Sequence, residues 1–355
     1  MSSNQRSVHL LVPGLLGPMQ QLDPLQPLPK LERLLSRADI SQVLGTDLES
    51  TLFPLFRVDS GLGGELPVAP YRRVGDGCPR DDRFWLQANP VYLRPDRDRV
   101  LLFDSKDLDF SQDEAEILAQ MFNDHFTTEG WQLETPIAHR WYLAVDSAPS
   151  LTTTPLSQVY GRNIDLFLPQ GEEGMRWHSI TNEVQMLFYS SNLNFERESR
   201  GKLPINGLWF SSGGVLANAA DRPFQTIYTD DSLAKGLAMV SGVDIKPLIG
   251  DSVTVETGGR EVLATYSRME RTVWRADPFD WADELNRFES WLLPLIEALQ
   301  QKKISELIIY PCNGSKFSLT PGALRRFWRP HRGVRHWMDD AAVYSFNASP
   351  QARQR

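Results

Sequence analysis

A helical stretch ending LNFERESRG and a strand ending LWFSSGG frame the residues best suited to hold an anion. Asn194 and Arg197 are three apart near the helix end, so they share a face. Asn206 opens the next strand, and Ser211, Ser212, Gly213 and Gly214 close it. A strand that opens into small residues is where α/β proteins often hold a phosphate, with backbone N–H groups and an arginine fork as donors. The same residues also have a structural reading. In that reading the asparagines cap the turn, Arg197 pairs with Glu183, Glu196 or solvent, and the glycines permit close packing. His139 and Arg140, just before another predicted strand, complete the candidate ligand-binding set.

Other chemistries find less support. The six histidines (His9, His125, His139, His178, His331, His336) are scattered, with no HxxxH pair. His331 and His336 stand beside a basic tail that repels cations. No GxSxG elbow, P-loop or GxGxxG fingerprint is present. Cys78 and Cys312 are too few for a disulfide framework, and neither has a motif that would lower its pKa. No cofactor and no metal site are expected.

The 355 residues are 41% hydrophobic and include ten tryptophans and seventeen phenylalanines, enough for a sizeable core in two lobes. No apolar run approaches the roughly 18 residues of a membrane span, and no signal-peptide pattern opens the chain, so a cytoplasmic location without membrane contact is expected. A net charge of −8 argues against nucleic acid as a partner. The local exception is the end of the chain. There Arg325, Arg326, Arg329, Arg332 and Arg335 interleave with Phe327, Trp328 and Trp337, a surface that could hold an acidic protein partner or form an amphipathic terminal helix.

Several elements must position these residues. Val8 to Val12 reads as a buried strand ended by Pro13-Gly14, and Lys30 to Arg37 as a helix. Residues 61 to 82, rich in glycine, proline and charge, read as a long loop. Phe84–Leu93 and Arg99–Phe103 form a strand pair, Ser111 with Glu114 a capping box, and Trp131–Leu133 and Trp141–Val145 two more strands. Ser179 to Arg200 reads as one helix stopped by Gly201, followed by a strand from Ile205 to Phe210. Further strands are expected at Gln225–Tyr228, Val262–Tyr266 and Leu307–Tyr310. Asp277-Pro278 opens a long helix that Pro294 should kink. The expected fold is α/β: a mostly parallel sheet with helices on both faces and a smaller inserted α+β lobe. Residues 1–82 and 148–320 would build the α/β core, 83–147 the ββαββ lobe, and 321–355 a basic C-terminal helix and tail.

LNFERESRGKLPIN followed by GLWFSSGG resembles the pattern HPVNxxRxxxGxxPAN, strand, glycine loop, of archaeal-type cofactor-independent phosphoglycerate mutases of the alkaline phosphatase superfamily. The closer similarity is to the regulatory protein RpfE family of proteobacteria, itself phosphoglycerate mutase-like. FWLQANPVYLRPDRDRVLLFDS, SQDEAEILAQMFNDHF and HRWYL carry it, in order along a resemblance running from Val8 to about Leu319. Enzymes of that superfamily hold two divalent metals between aspartates and histidines at strand ends, beside a serine or threonine nucleophile. Carried over residue by residue, the resemblance puts Pro13 where the first aspartate belongs. An Asp-x-x-x-His signature becomes Glu270 to Trp274, and Thr-Gly-Asp-His becomes Tyr310-Pro311-Cys312-Asn313. His-Pro of the opening motif becomes Ser191-Asn192, and Thr46 is left as a weak nucleophile candidate.

These positions imply a scaffold whose metal ligands are lost, since proline and tryptophan cannot ligate a divalent cation. The leading expectation is a catalytically degenerate, regulatory protein that binds a small anionic or phosphorylated ligand. The alternatives are an active mutase or other metal-dependent phosphotransferase, and a protein-interaction platform built on the basic tail.

Overall fold

A computed structural model describes residues 6–19, 25–58, 65–217, 222–248 and 261–338. The strands in chain order are β1 (Ser7–Leu11), β2 (Asp39–Gln42), β3 (Phe84–Asp96), β4 (Arg99–Asp104), β5 (Gln132–Ile137) and β6 (Arg140–Val145). They continue with β7 (Gly207–Gly214), β8 (Thr226–Tyr228), β9 (Asp244–Lys246), β10 (Glu261–Thr265), β11 (Glu306–Tyr310) and β12 (Ser315–Leu319). The chain divides into two compact units. The first falls within Met1–Arg57, Ala220–Ala234 and Ser241–Arg355, and the second within Val58–Ala219 and Lys235–Val240.

The first unit carries a seven-stranded sheet in the order β2-β12-β11-β1-β10-β8-β9. β1, β8, β9, β10 and β11 run parallel, while β12 and β2 add an antiparallel edge. β1 sits at the centre because its residues can be buried on both faces, as a central parallel strand requires. On one face Val8, Leu10, Leu307, Ile309 and Ala264 pack with Leu31, Leu34 and Leu35 of the helix Pro29–Arg37 and with Trp281, Leu285, Phe288 and Leu292 of the helix Pro278–Gln300. Asp277 caps the second of these helices, accepting from the N–H groups of Phe279 and Asp280 at 3.1 Å. That helix runs without interruption past Pro294. On the other face His9 meets Phe224 edge-on, and Phe224 meets Phe56.

The second unit is built on an antiparallel sheet in the order β4-β3-β6-β5, with β7 also paired to β3. β3 is long enough, at 13 residues, to pair β6 with its first half and β4 with its second. Ser111 and Glu114 form a reciprocal capping box at the start of the helix Gln112–His125. Ala115, Leu118 and Phe122 of that helix, with Trp177, Val184 and Phe188 of the helix Gly174–Tyr189, cover Leu86, Ala88, Trp141 and Leu143 of the sheet.

Four sequence expectations need correction. β7 belongs to the antiparallel sheet, so the second unit extends beyond residues 83–147. The single helix expected over 179–200 is two, Gly174–Tyr189 and Asn192–Ser199, because Ser191 caps the second with its hydroxyl. The loop expected over 61–82 contains the helix Val68–Gly75. No terminal helix forms among described residues 321–338. Two short 3₁₀ turns stand there, and Arg326 and Arg329 pair with Asp39. Residues 339–355 lie outside the described residues. Among the described residues no helix is long and apolar enough to cross a membrane.

Candidate functional site at the strand ends

The residues singled out around LNFERESRG and SSGG all lie in the second unit, where they are tied into its structure. Asn194 is 3% exposed. Its Nδ2 donates to the carbonyls of Phe188 (2.9 Å) and Ile205 (2.8 Å), and its Oδ1 accepts from the Ile205 N–H. Arg197 is 2% exposed and donates to the carbonyls of Leu203 and Asp109 and to Glu114 Oε1 at 2.8 Å. Asn206 brackets Leu93, accepting its N–H at 2.7 Å and donating to its carbonyl at 2.9 Å. Nε and Nη1 are engaged in this way, while Nη2 is buried without a partner among the described residues.

Ser211 to Gly214 form the end of β7 rather than a loop, and the strand is antiparallel, so the strand-end rule for parallel sheets does not apply to them. Ser212 takes a left-handed φ of 55° and turns its N–H onto Glu65 Oε1 and Thr153 Oγ1, both at 2.9 Å. Ser211 is fully buried, its hydroxyl without a partner among the described residues. A Cβ on Gly213 would come within 2.6 Å of Leu86, and one on Gly214 within 2.3 Å of Pro67, so both glycines serve close packing. His139 Nδ1 lies 3.4 Å from Ser105 Oγ. Arg140 makes a bidentate pair with Asp76 (2.8 and 2.6 Å), which also accepts from the Tyr142 hydroxyl.

The strand ends of the first unit gather a different set. After β1, Val12 donates to the Tyr310 carbonyl, and Tyr266 after β10 donates to the Leu11 carbonyl, both at 2.8 Å. Pro13-Gly14 therefore sits between the segments that follow β10 and β11. Gly14 packs on the Met269 carbonyl and Val273 of the helix Arg268–Trp274, and its own carbonyl accepts from Trp281 Nε1 at 2.8 Å. Cys312 is 6% exposed, at a left-handed φ of 60°. Burial pushes its thiol pKa up. A hydrogen bond with Thr51 works the other way, and Glu270, Asp47 and Glu49 push it up again.

The Thr46 loop is fastened to the same edge. Val43 and Gly45 exchange backbone hydrogen bonds of 2.9 Å with Gly314, and Asp47 caps the helix Leu48–Leu55 through a box with Ser50. Thr46 itself is exposed. The structure thus brings Pro13, Glu270, Cys312, Asn313 and Thr46 to one edge, while the Asn194 to Gly214 set stands in the other unit.

Comparison with known proteins identifies relatives of this scaffold. No family model matches the chain. Over 156 residues it is 24% identical to the 2,3-bisphosphoglycerate-independent phosphoglycerate mutases of Methanosarcina mazei and Methanosarcina acetivorans, covering 41% of this chain. The matched stretch spans 39% of the length of those curated relatives. Among solved structures, the PH0037 protein from Pyrococcus horikoshii superposes with a TM-score of 0.54 at 12% identity, over 88% of this chain and 86% of that one. A cofactor-independent phosphoglycerate mutase from Thermoplasma acidophilum superposes with a TM-score of 0.46 at 16% identity, over 94% of this chain and 98% of that one. The chain is a distant homologue of the archaeal mutases.

The positions that the resemblance matches to metal ligands carry Pro13, Glu270, Trp274, Cys312 and Asn313. Proline has no ligating side-chain atom and the indole of Trp274 carries no donor lone pair. Among the described residues no three His, Cys, Asp or Glu side chains are grouped to hold a metal ion. Thr229-Asp230-Asp231, which the sequence reading did not single out, also follows a parallel strand, β8. The Thr229 hydroxyl lies 2.5 Å from that of Thr265, and Asp231 Oδ1 accepts from the Ala234 N–H. A threonine and two aspartates right after a strand were the signal available.

Proposed function

We propose that this protein is a phosphoglycerate mutase-like scaffold that no longer transfers phosphoryl groups and acts by binding, in a regulatory role like that of the RpfE family it resembles. What supports this reading is the make-up of the strand-end edge, where Pro13, Cys312 and Asn313 stand at positions that the resemblance assigns to metal ligands. The carboxylates of Glu270, Asp47 and Glu49 around Cys312 make that edge unfavourable for a phosphate without cations to offset them.

The test is metal content together with turnover. Purified protein, dialysed and then equilibrated with Mn²⁺ or Zn²⁺, should retain no stoichiometric divalent ion and should not interconvert 2- and 3-phosphoglycerate. Two tightly held ions per chain with measurable turnover would overturn the reading. A protein partner docking on the described part of the tail is the second reading, favoured by Phe327 and Trp328, which are 83% and 67% exposed. If a partner captured by the wild type binds Phe327→Ser/Trp328→Ser equally well, that reading fails.

A further inference from the structure

The first unit contains a cavity of about 430 Å³ between the helix Pro29–Arg37, the last two turns of the helix Pro278–Gln300, and the segment from Pro321 to Arg325. It opens near the start of β11, since Leu319 pairs with Leu307, at the end of the sheet opposite Cys312. Five cationic side chains line it (Lys30, Arg33, Arg37, Lys302 and Arg325) against one carboxylate, Glu297. Leu34, Leu293 and Ile296 supply an apolar wall. The neighbouring Glu289 is already engaged, accepting from the N–H groups of Lys30 and Leu31.

Lys30, Arg33, Lys302 and Arg325 are exposed around the opening, and Arg37 is half-buried. Burial, with the adjacent Arg33 guanidinium, holds the pKa of Arg37 below its ordinary value, although Arg37 keeps a hydrogen bond to the Leu324 carbonyl. Lys302 occupies the left-handed position that closes the long helix, at φ 57°. The bonds there form a Schellman motif, Lys302 N–H to Leu299 and Lys303 N–H to Ala298, in which glycine is the unstrained choice. Among the described residues, Lys30, Arg33, Lys302 and Arg325 have no carboxylate ion-paired to them.

We propose that this cavity binds a small polyanion, a metabolite carrying two phosphate groups whose remaining body lies on the apolar wall. Guanidinium forks match phosphate oxygens, and several of them in one cavity favour more than one phosphate. The volume suits a small molecule, since such sites run from about 300 to 1,000 Å³. The ligand could be a nucleoside diphosphate or a sugar bisphosphate, which share this chemistry. The inference names the ligand class for the binding role proposed above, but the cavity lies away from the strand-end edge and its test needs no statement about catalysis.

The experiment is calorimetric titration of the full chain with inorganic pyrophosphate, adenosine 5′-diphosphate and fructose 1,6-bisphosphate, with orthophosphate as the single-phosphate comparison. Saturable one-to-one binding of at least one of the first three is expected, weakening in high salt. The preferred probe identifies the source. Arg33→Ala should weaken that binding about tenfold, the loss of one charge-assisted hydrogen bond. Lys302→Gly should weaken it comparably while leaving the melting temperature equal or higher, which separates lost binding from lost folding. Arg99→Ala, in the other unit, should change nothing. No saturable binding of any diphosphate, or binding indifferent to both Arg33→Ala and Lys302→Gly, overturns the inference. Metal-dependent turnover would overturn the loss of catalysis alone.

Discussion

Arg197 has the chemistry of an anion receptor but is used as a structural anchor. Its guanidinium, 2% exposed, ties the turn after the helix Asn192–Ser199 to Glu114 at the start of the helix Gln112–His125. Breaking a buried pair from one side leaves an uncompensated polar group, so Arg197→Ala should lower unfolding free energy by about 3 kcal/mol in a denaturant melt. Burial alone would raise the Glu114 carboxyl. Hydrogen bonds from the Ser111 N–H and from Arg197 more than offset this and leave its pKa below the ordinary carboxylate value. A pKa depressed in the folded state adds stability above the unfolded pKa, and that stability is lost as pH falls through the folded value. The stability difference between wild type and Glu114→Gln should therefore be greatest near neutrality and shrink below about pH 4.

The cysteines behave uniformly. Burial pushes Cys78 up to about 11, with Arg73 working against it and Glu134 and Asp76 adding to it, and Cys312 is raised further. Both should react slowly with a disulfide reagent in native protein at pH 8 and promptly in denaturant. A fast native phase would contradict this environment.

At the scale of elements, Gly236 in the helix Ser232–Val240 reverses a common rule. Replacing a glycine inside a helix by alanine normally stabilises by about 0.5–1 kcal/mol. Here a Cβ would stand 1.7 Å from the Tyr71 carbonyl oxygen, so Gly236→Ala should destabilise, by roughly 1–3 kcal/mol in thermal or denaturant unfolding. The antiparallel edge offers a gentler case. Arg326 and Arg329 both reach Asp39, whose carboxyl is lowered first by the Arg326 hydrogen bond. Asp39 is exposed and the two arginines are half-buried, so Asp39→Ala should change global stability by less than about 1 kcal/mol. It should nonetheless speed hydrogen exchange in residues 323–329.

How much of this was legible depended on the range of the interaction. Caps and punctuation were local and readable: Ser111 with Glu114, Asp277 before Pro278, and the buried strand before Pro13-Gly14. The parallel sheet was legible as an alternation of strands and helices. The partner of β7 was not, because SSGG reads alike at the end of a parallel strand and inside an antiparallel one. The candidate site was half legible. Pro13, Cys312 and Asn313 could be placed at strand ends, whereas the partners of Arg197 and Asn206 stand 83 and 113 residues away. The basic cavity left no sequence signal, since its cations come from three separate segments.

At the scale of the whole molecule, the strand-end edge and the basic cavity should respond to different additives. A scaffold distantly related to the archaeal phosphoglycerate mutases should be indifferent to metal removal if its strand ends do not ligate. Treatment with a chelator should therefore leave the melting temperature within about 1 °C of the untreated protein, since any ligand bound only by the native state would raise it. A large drop would reveal a metal that contributes to the fold. The cavity should respond in the opposite sense, with a diphosphate raising the melting temperature and high salt abolishing the rise.

The place of β1 has a consequence for how the chain is made. Its hydrogen-bonding edges are completed by Glu261–Thr265 on one side and Glu306–Tyr310 on the other. At ribosomal rates of roughly 5–20 residues per second, those partners emerge some tens of seconds after Ser7–Leu11 does. The antiparallel sheet of the second unit has all its strands once Gly214 has been synthesised. During that interval the growing polypeptide carries an apolar strand with both edges open, the kind of segment chaperones hold. Release of unfinished chains before residue 310 should yield aggregates that incorporate the N-terminal segment.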